Sequence, residues 1–410
     1  DWSWSRGLGD VYKRQKVTYV SNITDIDDKI IEAAVEQNVE ISVITKKFTK
    51  IYNEDMAKLN VLAPDVQPKA TEYIPEMIDL IKELIEKDFA YEKDGHVLFH
   101  VPTYENYGKL SNRIKDEQIA GSRVDVADFK KDPADFVLWK PSTGVQPGWE
   151  SPWGIGRPGW HTECSAMSEK TLGLPLDIHG GGRDLIFPHH ENEIAQSCCT
   201  AAENSNPESY AKYWMHNGFV TIDGEKMSKS LGNIILVNEL TQKYHGEVIR
   251  LALLSTHYRQ ALDWNDNVIH QAKKLLDKLY SLLNELNDVK ESKEPDNDLI
   301  EILLDDLNTP GLMANINKLL KNAESLEEGD KPNLKSNLLL IGKLMGILED
   351  KSYNQISSEF KDKVDNLIKD RSNAKKKRDF ELADKIRSEL IDLGVEINDS
   401  PEGTTWKVVK

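Results

Sequence analysis

Cysteine is scarce in this chain, with three residues among 410: Cys164, Cys198 and Cys199. Three cysteines are too few for a disulfide framework, and we expect the protein to occupy a reducing cytoplasm. No apolar run reaches the roughly eighteen residues that a membrane-spanning helix needs. The N-terminus also lacks the basic segment and apolar core of a secretory signal. The sequence therefore predicts a cytoplasmic globular protein of two or three domains, with no membrane partner.

Positive charge is in short supply too, because 52 lysines and arginines stand against 69 aspartates and glutamates, a formal net charge of −17. This balance argues only weakly against a nucleic-acid partner, since binding follows the local field and not the sum over the molecule. The segment 371–387, RSNAKKKRDFELADKIR, is locally basic. It is either a solvated helix face or a contact surface for a polyanion.

The chain changes character at Lys16. Residues 1–15 have no initiating methionine and no apolar periodicity, and we interpret them as a non-native segment, the alternative being a disordered tail. Strands alternating with helices up to residue 220 predict a mostly parallel α/β sheet. Beyond residue 245 the pattern is helical and ends in a small piece with short strands. Helical periodicity predicts single long helices over 27–59, 299–320 and 357–394.

The stretch FPHHENE at 187–193 offers several metal-ligating side chains. His189 and Glu193 are four residues apart, so a helix places them on one face, while His190 and Glu191 point elsewhere. The HExxH pattern of zinc peptidases is not present. Cys164, in GWHTECSAM, is the natural third ligand, and thiolate, imidazole and carboxylate together suit Zn²⁺ with one position left open. Cys198 and Cys199 are adjacent, which suits helix packing better than chelation.

Two further stretches point to a nucleotide. The loop 225–230 reads EKMSKS, and its two lysines three residues apart can neutralise a triphosphate as pyrophosphate leaves. An ordinary surface loop is the alternative. In DIHGGGRD, at 177–184, three glycines after a strand let the backbone approach a ligand closely, although glycines also serve plain tight turns.

These stretches together resemble cysteinyl-tRNA synthetase. KMSKS at 226–230 is similar to the second signature of class I aminoacyl-tRNA synthetases, and NITDIDDKI, GWHTECSAM, DIHGGGRDLIFPHHENEIAQS and WMHNGFV resemble that one member. DDLNTP at 305–310 and EGTTW at 402–406 extend the resemblance, which spans 17–410 in register. It implies attachment of L-cysteine to tRNA(Cys) through cysteinyl-adenylate, with ATP and Mg²⁺ as co-substrates, by a monomer.

The resemblance also implies roles for particular residues. One zinc ion would select the substrate thiolate, held by Cys164, His189, Glu193 and a further cysteine near the family's N-terminus. Such a site rejects serine without editing. ATP contacts are implied for Lys226, Met227, Ser228, Lys229, Ser230, His179, Gly180 and Gly181, and the catalytic charges are those of Lys226 and Lys229. Substrate contacts are implied for Thr24, Trp160, His179 and Asp184.

The implied architecture is a Rossmann-like class I catalytic domain over 16–235, with an inserted connective segment at about 75–155. A helical stem-contact region over 236–297 and an anticodon-binding bundle over 298–350 follow, and then a small anticodon-recognition domain over 351–410. The region before YVSNITDIDDK, which carries the HIGH-type signature and a zinc cysteine in the family, has no counterpart in residues 1–15. We therefore expect the Rossmann-like domain to be incomplete at its N-terminus and the activity of this chain to be impaired.

Two other functions stay open on the sequence. One is a related ligase that activates cysteine with ATP but transfers it to an amino sugar; residues 299–410 argue against it, because such relatives lack an anticodon-binding half. The other is a truncated protein that only binds tRNA. The resemblance of the helical half to the family's anticodon-binding bundle implies that the basic segment 371–387 contacts tRNA phosphates and unstacked loop bases.

Overall fold

The computed structural model describes residues 16–113, 128–144, 146–201, 206–228, 231–292, 295–353, 358–400 and 403–408. The segment 1–15, interpreted from the sequence as non-native, lies outside these ranges. The chain divides into two compact units, residues 1–349 and 350–410. No helix in the described part of the chain is both long enough and apolar enough to cross a bilayer.

The first unit begins with alternating helices and strands. Up to residue 226 these are α1 (Asp28–Gln37), α2 (Ile41–Lys58), α3 (Ile74–Glu86), β1 (Ala90–Lys93), β2 (His96–Phe99), β3 (Phe136–Pro141), β4 (Gly156–Pro158), α4 (Trp160–Leu172), β5 (Leu176–Gly182), α5 (Glu191–Thr200), β6 (Ala211–Asn217), β7 (Val220–Ile222) and β8 (Glu225–Lys226). A π-helical turn over Ile186–His190 leads into α5.

The largest sheet is antiparallel, with strand order β1-β2-β3-β4. Its first hairpin turns at Asp94 and Gly95, both with positive φ, as the Asp-Gly pair between alternating apolar residues predicts. Helices α3, α4 and α5 cover this sheet, and their buried side chains (Met77, Met167 and Ile194 among them) pack with Trp139 in one core. This core fixes the relative positions of α4 and α5, the two helices that matter for the site.

Parallel pairing is less extensive than the sequence predicts. β5 pairs parallel with β6, and β7 pairs parallel with β9 (Leu262–Trp264). The run 17–20, expected to be a buried strand, makes only an isolated bridge from Val20 to Val66, and a second bridge joins Ile23 to Lys69. The expected strand over 213–222 is divided at Gly218 into β6, which pairs with β5, and β7, which pairs with β9. A Cβ on Gly218 would lie 2.1 Å from Gln260 O, so only glycine fits this crossing.

The second half is helical, as expected. Its helices are α6 (Val237–Leu240), α7 (Gly246–Leu253), α8 (Asp266–Glu285), α9 (Asp298–Leu304), α10 (Thr309–Ala323) and α11 (Lys331–Met345), and the second unit contains α12 (Ser358–Lys376), α13 (Phe380–Asp392) and the antiparallel pair β10 (Val395–Ser400) and β11 (Gly403–Val408). Val364, Ile386, Leu390 and Val395 form the core of that second unit.

Each of the three long helices predicted from periodicity is two helices in the structure. Residues 27–59 divide at Asn38, which takes a left-handed conformation (φ 49°) and caps α1. Residues 299–320 divide at Asp306 and Leu307, and residues 357–394 at Arg378, again with positive φ. Apolar spacing continues through each break, so periodicity did not reveal the one or two left-handed residues that end each first helix.

Candidate functional site

Three side chains with metal-ligating atoms meet where α4 and α5 pack together. Cys164 lies on α4, His189 in the turn before α5, and Glu193 in the first turn of α5. One ligating atom from each residue lies within 4.8 Å of the others. His189 Nε2 is 2.8 Å from Glu193 Oε1. The fold therefore brings together the three ligands that the sequence suggested.

Helix α5 is buried along its whole length, so its polar side chains need partners inside the protein. Glu191 accepts hydrogen bonds from the backbone N–H groups of Gly108 (2.9 Å) and Ser111 (3.0 Å). These contacts anchor one face of α5 against residues 108–111. Glu193, on another face of the helix, is left to project into the candidate metal site.

Glu193 is fully buried, yet its carboxylate is kept ionised. Burial by itself raises the pKa, but the nearby imidazoles of His179 and His189 outweigh it and hold the pKa well below its usual range. His179 Nε2 lies 3.0 Å from Oε2, and Tyr210 donates its hydroxyl to the same oxygen. The other oxygen, Oε1, has close contact with His189 but no hydrogen bond of acceptable geometry. A buried carboxylate oxygen left in this way is suited to a cation.

Cys164 supplies the sulfur atom of the Cys164, His189 and Glu193 group. Burial raises the pKa of its thiol well above the usual value, and the charges of Glu193 and Glu163 add to this effect. Its Sγ accepts a hydrogen bond from Asn22 Nδ2 at 3.7 Å. Without a cation, therefore, the thiolate is disfavoured. Sulfur, imidazole nitrogen and carboxylate oxygen form a donor set that fits Zn²⁺, and these residues could hold such an ion.

Two neighbours on α4 orient His189. His161 Nδ1 lies 2.7 Å from His189 Nδ1, and burial followed by the charge of His189 lowers the pKa of His161 to about 3, so its ring is neutral. The Trp160 ring lies over His189, with 4.2 Å between ring centroids, and its side of the site is open to solvent. His161 was missed as a functional residue in the sequence, although it stands three positions before Cys164. A partner on the second ring nitrogen is what a metal-binding histidine usually has.

The glycine-rich strand β5 lies against a cluster of aromatic and histidine side chains. His190 Nδ1 is 2.8 Å from His216 Nε2, and burial lowers the pKa of His190 to about 3. A Cβ on Gly181 would lie 2.8 Å from Leu185 Cδ1 and 3.2 Å from His190 Cε1. The structure thus gives Gly181 a packing reason for having no side chain. His179 and Gly180, its neighbours on β5, pair with Trp214 and Met215 on β6.

The β7–β8 hairpin carries the KMSKS loop. Its turn residues Asp223 and Gly224 have positive φ, and Gly224 N donates to Asp263 Oδ1 at 2.6 Å. Lys226 is exposed, with its ammonium group 4.3 Å from the centroid of the Phe219 ring. Met227 and Ser228 are half-buried, and Ser228 N donates to Asn233 Oδ1 at 2.8 Å. Lys229 and Ser230, also predicted to bind ATP, lie outside the described residues.

Two remaining predicted substrate contacts sit at the edges of this region. Thr24 is half-buried, two residues beyond the Asn22 amide that reaches Cys164. Asp184 is exposed, and its Oδ1 lies 2.4 Å from the position that a Cβ on Gly182 would occupy. Its carboxylate therefore covers the end of β5.

The basic segment 371–387 is only partly available to a polyanion. Arg371 is buried and donates from Nη1 and Nη2 to the carboxylate of Asp399 at 3.0 and 2.9 Å, and Lys375 donates to the same group. These two charges serve the second unit itself, which corrects the view of the whole segment as a contact surface. Its exposed basic residues outside this ion pair are Lys376, Lys377, Arg378, Lys385 and Arg387.

Comparisons with known proteins agree on one family. The family described as "tRNA synthetases class I (C) catalytic domain" matches residues 9–274. The cysteine--tRNA ligase of Parvibaculum lavamentivorans is 54% identical over 407 residues, covering 96% of this chain and 85% of that protein. That of Saccharophagus degradans is 49% identical, covering 96% and 86%. Among solved structures, Mycobacterium tuberculosis methionyl-tRNA synthetase with methionyl-adenylate is 16% identical with a TM-score of 0.55, covering 84% of this chain and 86% of that one, which shows the fold alone.

Proposed function

Since the chain belongs to the cysteine--tRNA ligase family of class I tRNA synthetases, we propose that it activates L-cysteine as cysteinyl-adenylate and that Cys164, His189 and Glu193 hold a zinc ion for this purpose. Membership of this family implies that tRNA, cysteine and ATP are the substrates. The class I fold expected from the sequence is confirmed. The observation that carries the zinc proposal is the meeting of a thiol, an imidazole and a buried carboxylate, whose ligating atoms lie within 4.8 Å of one another, with Glu193 Oε1 2.8 Å from His189 Nε2.

When bound, the ion supplies a soft acceptor that prefers a substrate thiolate to the hydroxyl of serine. The chain's own residues prepare the place for that substrate. His161 holds the His189 ring through its second nitrogen, and Trp160 packs on His189 and borders the side of the site that is open to solvent. Asn22 donates to Cys164 and keeps its sulfur oriented. Thr24, His179 and Asp184 are proposed to contact the rest of the substrate.

Activation joins the cysteine carboxylate to the α-phosphorus of ATP and releases pyrophosphate. An oxygen of the carboxylate forms a bond to the α-phosphorus. The bond between the α-phosphorus and the oxygen that bridges it to the β-phosphorus breaks, and that oxygen leaves with pyrophosphate. Negative charge accumulates on the leaving group, and Lys226 and Lys229 are proposed to neutralise it, with Mg²⁺ accompanying ATP. Lys226 is exposed on β8, at the base of a loop that can close over the phosphates. The backbone of His179, Gly180 and Gly181 is proposed to border the nucleotide.

Transfer to tRNA is favoured over transfer to an amino sugar, because the relatives match 96% of this chain, the helical half included. We propose that the exposed bases of the second unit contact tRNA phosphates. Substituting both Lys376 and Lys377 by alanine is expected to lower the slope of log K against log salt by about 2, since each lost phosphate contact removes about one unit. An unchanged slope would place the tRNA elsewhere.

The zinc proposal is tested on the purified protein by measuring its bound metal. Cys164→Ser is expected to lower the zinc content markedly, while Cys199→Ser, a buried thiol outside the group, serves as the matched control and keeps it. Replacement of zinc by Co²⁺ adds a second readout, because a sulfur-to-cobalt absorption band is expected in the parent and lost in Cys164→Ser. Equal metal content in all three proteins would refute the assignment. Cysteine-dependent exchange of pyrophosphate into ATP tests the reaction, and equal exchange with serine would refute selection by the thiolate.

A further inference from the structure

Asp306 joins two parts of the first unit that are far apart in sequence. Its carboxylate accepts a hydrogen bond from the hydroxyl of Tyr258 (2.6 Å) and two from Arg259, from Nε (2.5 Å) and Nη2 (3.2 Å). Asp306 lies in the short loop between α9 and α10, and Tyr258 and Arg259 lie in the segment that precedes β9. We call these three residues the Asp306 clamp.

The loop that carries Asp306 has an unfavourable backbone. Asp306 and Leu307 have φ values of 52° and 56°, so two consecutive residues with side chains are left-handed. Each such residue costs energy relative to a helical or extended conformation and persists only where the surroundings hold it. Arg259 grips Asp306 by both carboxylate oxygens, a planar arrangement that fixes direction as well as distance. The clamp is therefore the feature that holds this loop against the segment before β9.

That segment, residues 258–262, lies against the β7–β8 hairpin that carries the KMSKS loop, and we call it the floor of the hairpin. Tyr258 O accepts from Gly218 N at 2.7 Å, and Leu262 N donates to Phe219 O at 2.9 Å. β9 then pairs with β7, and Asp263 accepts from the turn of the hairpin at Gly224 N. A displacement of the floor would consequently be passed to the hairpin through backbone hydrogen bonds.

Apolar packing around the floor is incomplete. A cavity of about 300 Å³ lies there, lined by side chains from the hairpin, the floor and the helical half, Phe219, Leu262, Leu253 and Leu307 among them. Closely packed cores transmit a displacement directly, whereas a gap of this size lets the walls move independently. Leu307 and the strand residues line the same gap, and the polar clamp is a direct tie across it between the helical half and the floor.

We infer that Asp306 is a positioning residue for ATP: through Arg259 and Tyr258 it fixes the floor of the hairpin, and so the place of Lys226, relative to the helical half. The inference rests on the proposed function, which gives Lys226 its role. Asp306 is not among the residues proposed to contact cysteine or ATP. Its side chain is 45% exposed, so its ion pair with Arg259 contributes little to global stability. Its loss is expected to loosen the hairpin while the fold as a whole stays intact.

Asp306→Asn tests this, with Asp305→Asn, the adjacent exposed carboxylate, as the matched control. Hydrogen exchange of backbone amides over 217–228 is expected to accelerate about fivefold in Asp306→Asn, and exchange over 176–182 to stay unchanged. Asp306→Glu, which keeps the carboxylate, is expected to recover part of the protection. Unchanged exchange over 217–228 in Asp306→Asn, or equal acceleration in Asp305→Asn, would overturn the inference.

Kinetics provide the second arm. In cysteine-dependent pyrophosphate exchange, Asp306→Asn is expected to raise KM for ATP or lower kcat about tenfold, with KM for cysteine and zinc content unchanged, since the metal group lies on α4 and α5. An equal rise in KM for both substrates would overturn the positioning role. If the parent protein shows no cysteine-dependent exchange, as the impairment expected from the sequence would give, hydrogen exchange alone decides the inference about the hairpin. Exchange that serine supports as well as cysteine would instead refute the proposed function and leave that inference standing.

Discussion

The buried guanidinium of Arg250 offers a stringent test of how the helical half is attached. Arg250, on α7, donates to the carbonyl groups of Met345, Leu59 and Asn60, which belong to the ends of α11 and α2. One side chain therefore ties three segments together. Glu247, one turn earlier on α7, accepts hydrogen bonds from the backbone N–H groups of Leu348 and Glu349, which follow α11.

We predict that Arg250→Met lowers the free energy of unfolding of the first unit by about 3–4 kcal/mol. Hydrogen bonds from a charged group are worth about 1.5–3 kcal/mol each, and breaking a buried charged network typically costs about 3–5 kcal/mol. Burial lowers the pKa of Arg250 to about 10, which shows that desolvation offsets part of the gain and places the estimate at the lower end. Scaled by an unfolding entropy of about 2.1 cal/mol/K per residue, this predicts a fall in Tm of about 4–6 °C.

Scanning calorimetry of the full chain measures this shift. Arg387→Met, which removes an exposed arginine of the second unit, is the matched control and is expected to change stability by less than about 0.5 kcal/mol. Arg250→Lys keeps the charge but cannot reach three carbonyls at once, so an intermediate loss is expected. A shift below about 1 °C in Arg250→Met would refute the view that these hydrogen bonds hold the junction.

Three further predictions concern the site and the second unit. Gly181→Ala is expected to displace the His190 ring, because its Cβ would lie 3.2 Å from that ring, and to weaken ATP binding about tenfold by calorimetric titration, with the metal content kept. Trp160→Ala, which removes one wall of the site, is expected to raise KM for cysteine while leaving KM for ATP unchanged, and an equal effect on both would contradict its place. Arg371 and the other donors lower the pKa of Asp399, so the stability that it contributes is complete above the unfolded pKa of about 4 and is lost as pH falls below that value. Protection from hydrogen exchange over 395–408, corrected for the intrinsic exchange rate, should therefore fall more between pH 5 and 3 in the parent than in Asp399→Asn.

Sequence patterns predicted the parts of the fold that depend on local rules. The helix over 74–87, the Asp94-Gly95 hairpin and strand β5 stand where spacing and turn residues place them. The breaks within long helices were not predicted, because Asn38 and Arg378 interrupt the backbone without interrupting the apolar pattern. The strands were predicted to form a mostly parallel sheet, but the largest sheet among the described residues, β1-β2-β3-β4, is antiparallel, and the pairing of β2 with β3 depends on contacts distant in sequence.

The candidate site shows the same division. His189 and Glu193 were found from their four-residue spacing. Cys164 was found from its chemistry alone, although it lies 25 positions before His189 in the chain. The partners His161 and Asn22 were missed, since their relevance arises only when α4 packs against α5 and the segment at 22 reaches across. Tyr210 and His216 belong to this class too. Residues that serve as ligands have a chemical signature in the sequence, whereas residues that orient them acquire their role from packing.

The balance of charge explains why a cation suits this place better than a proton or a lysine would. Cys164 and Glu193 are two acidic groups with their ligating atoms within 4.8 Å, both removed from water. His161 and His190, with pKa values of about 3, contribute no positive charge at neutral pH. A divalent ion would compensate the thiolate and the carboxylate together and still have a position free. Metal affinity should accordingly fall as pH drops and the thiol is protonated, and a metal content independent of pH between 8 and 5 would contradict thiolate ligation by Cys164.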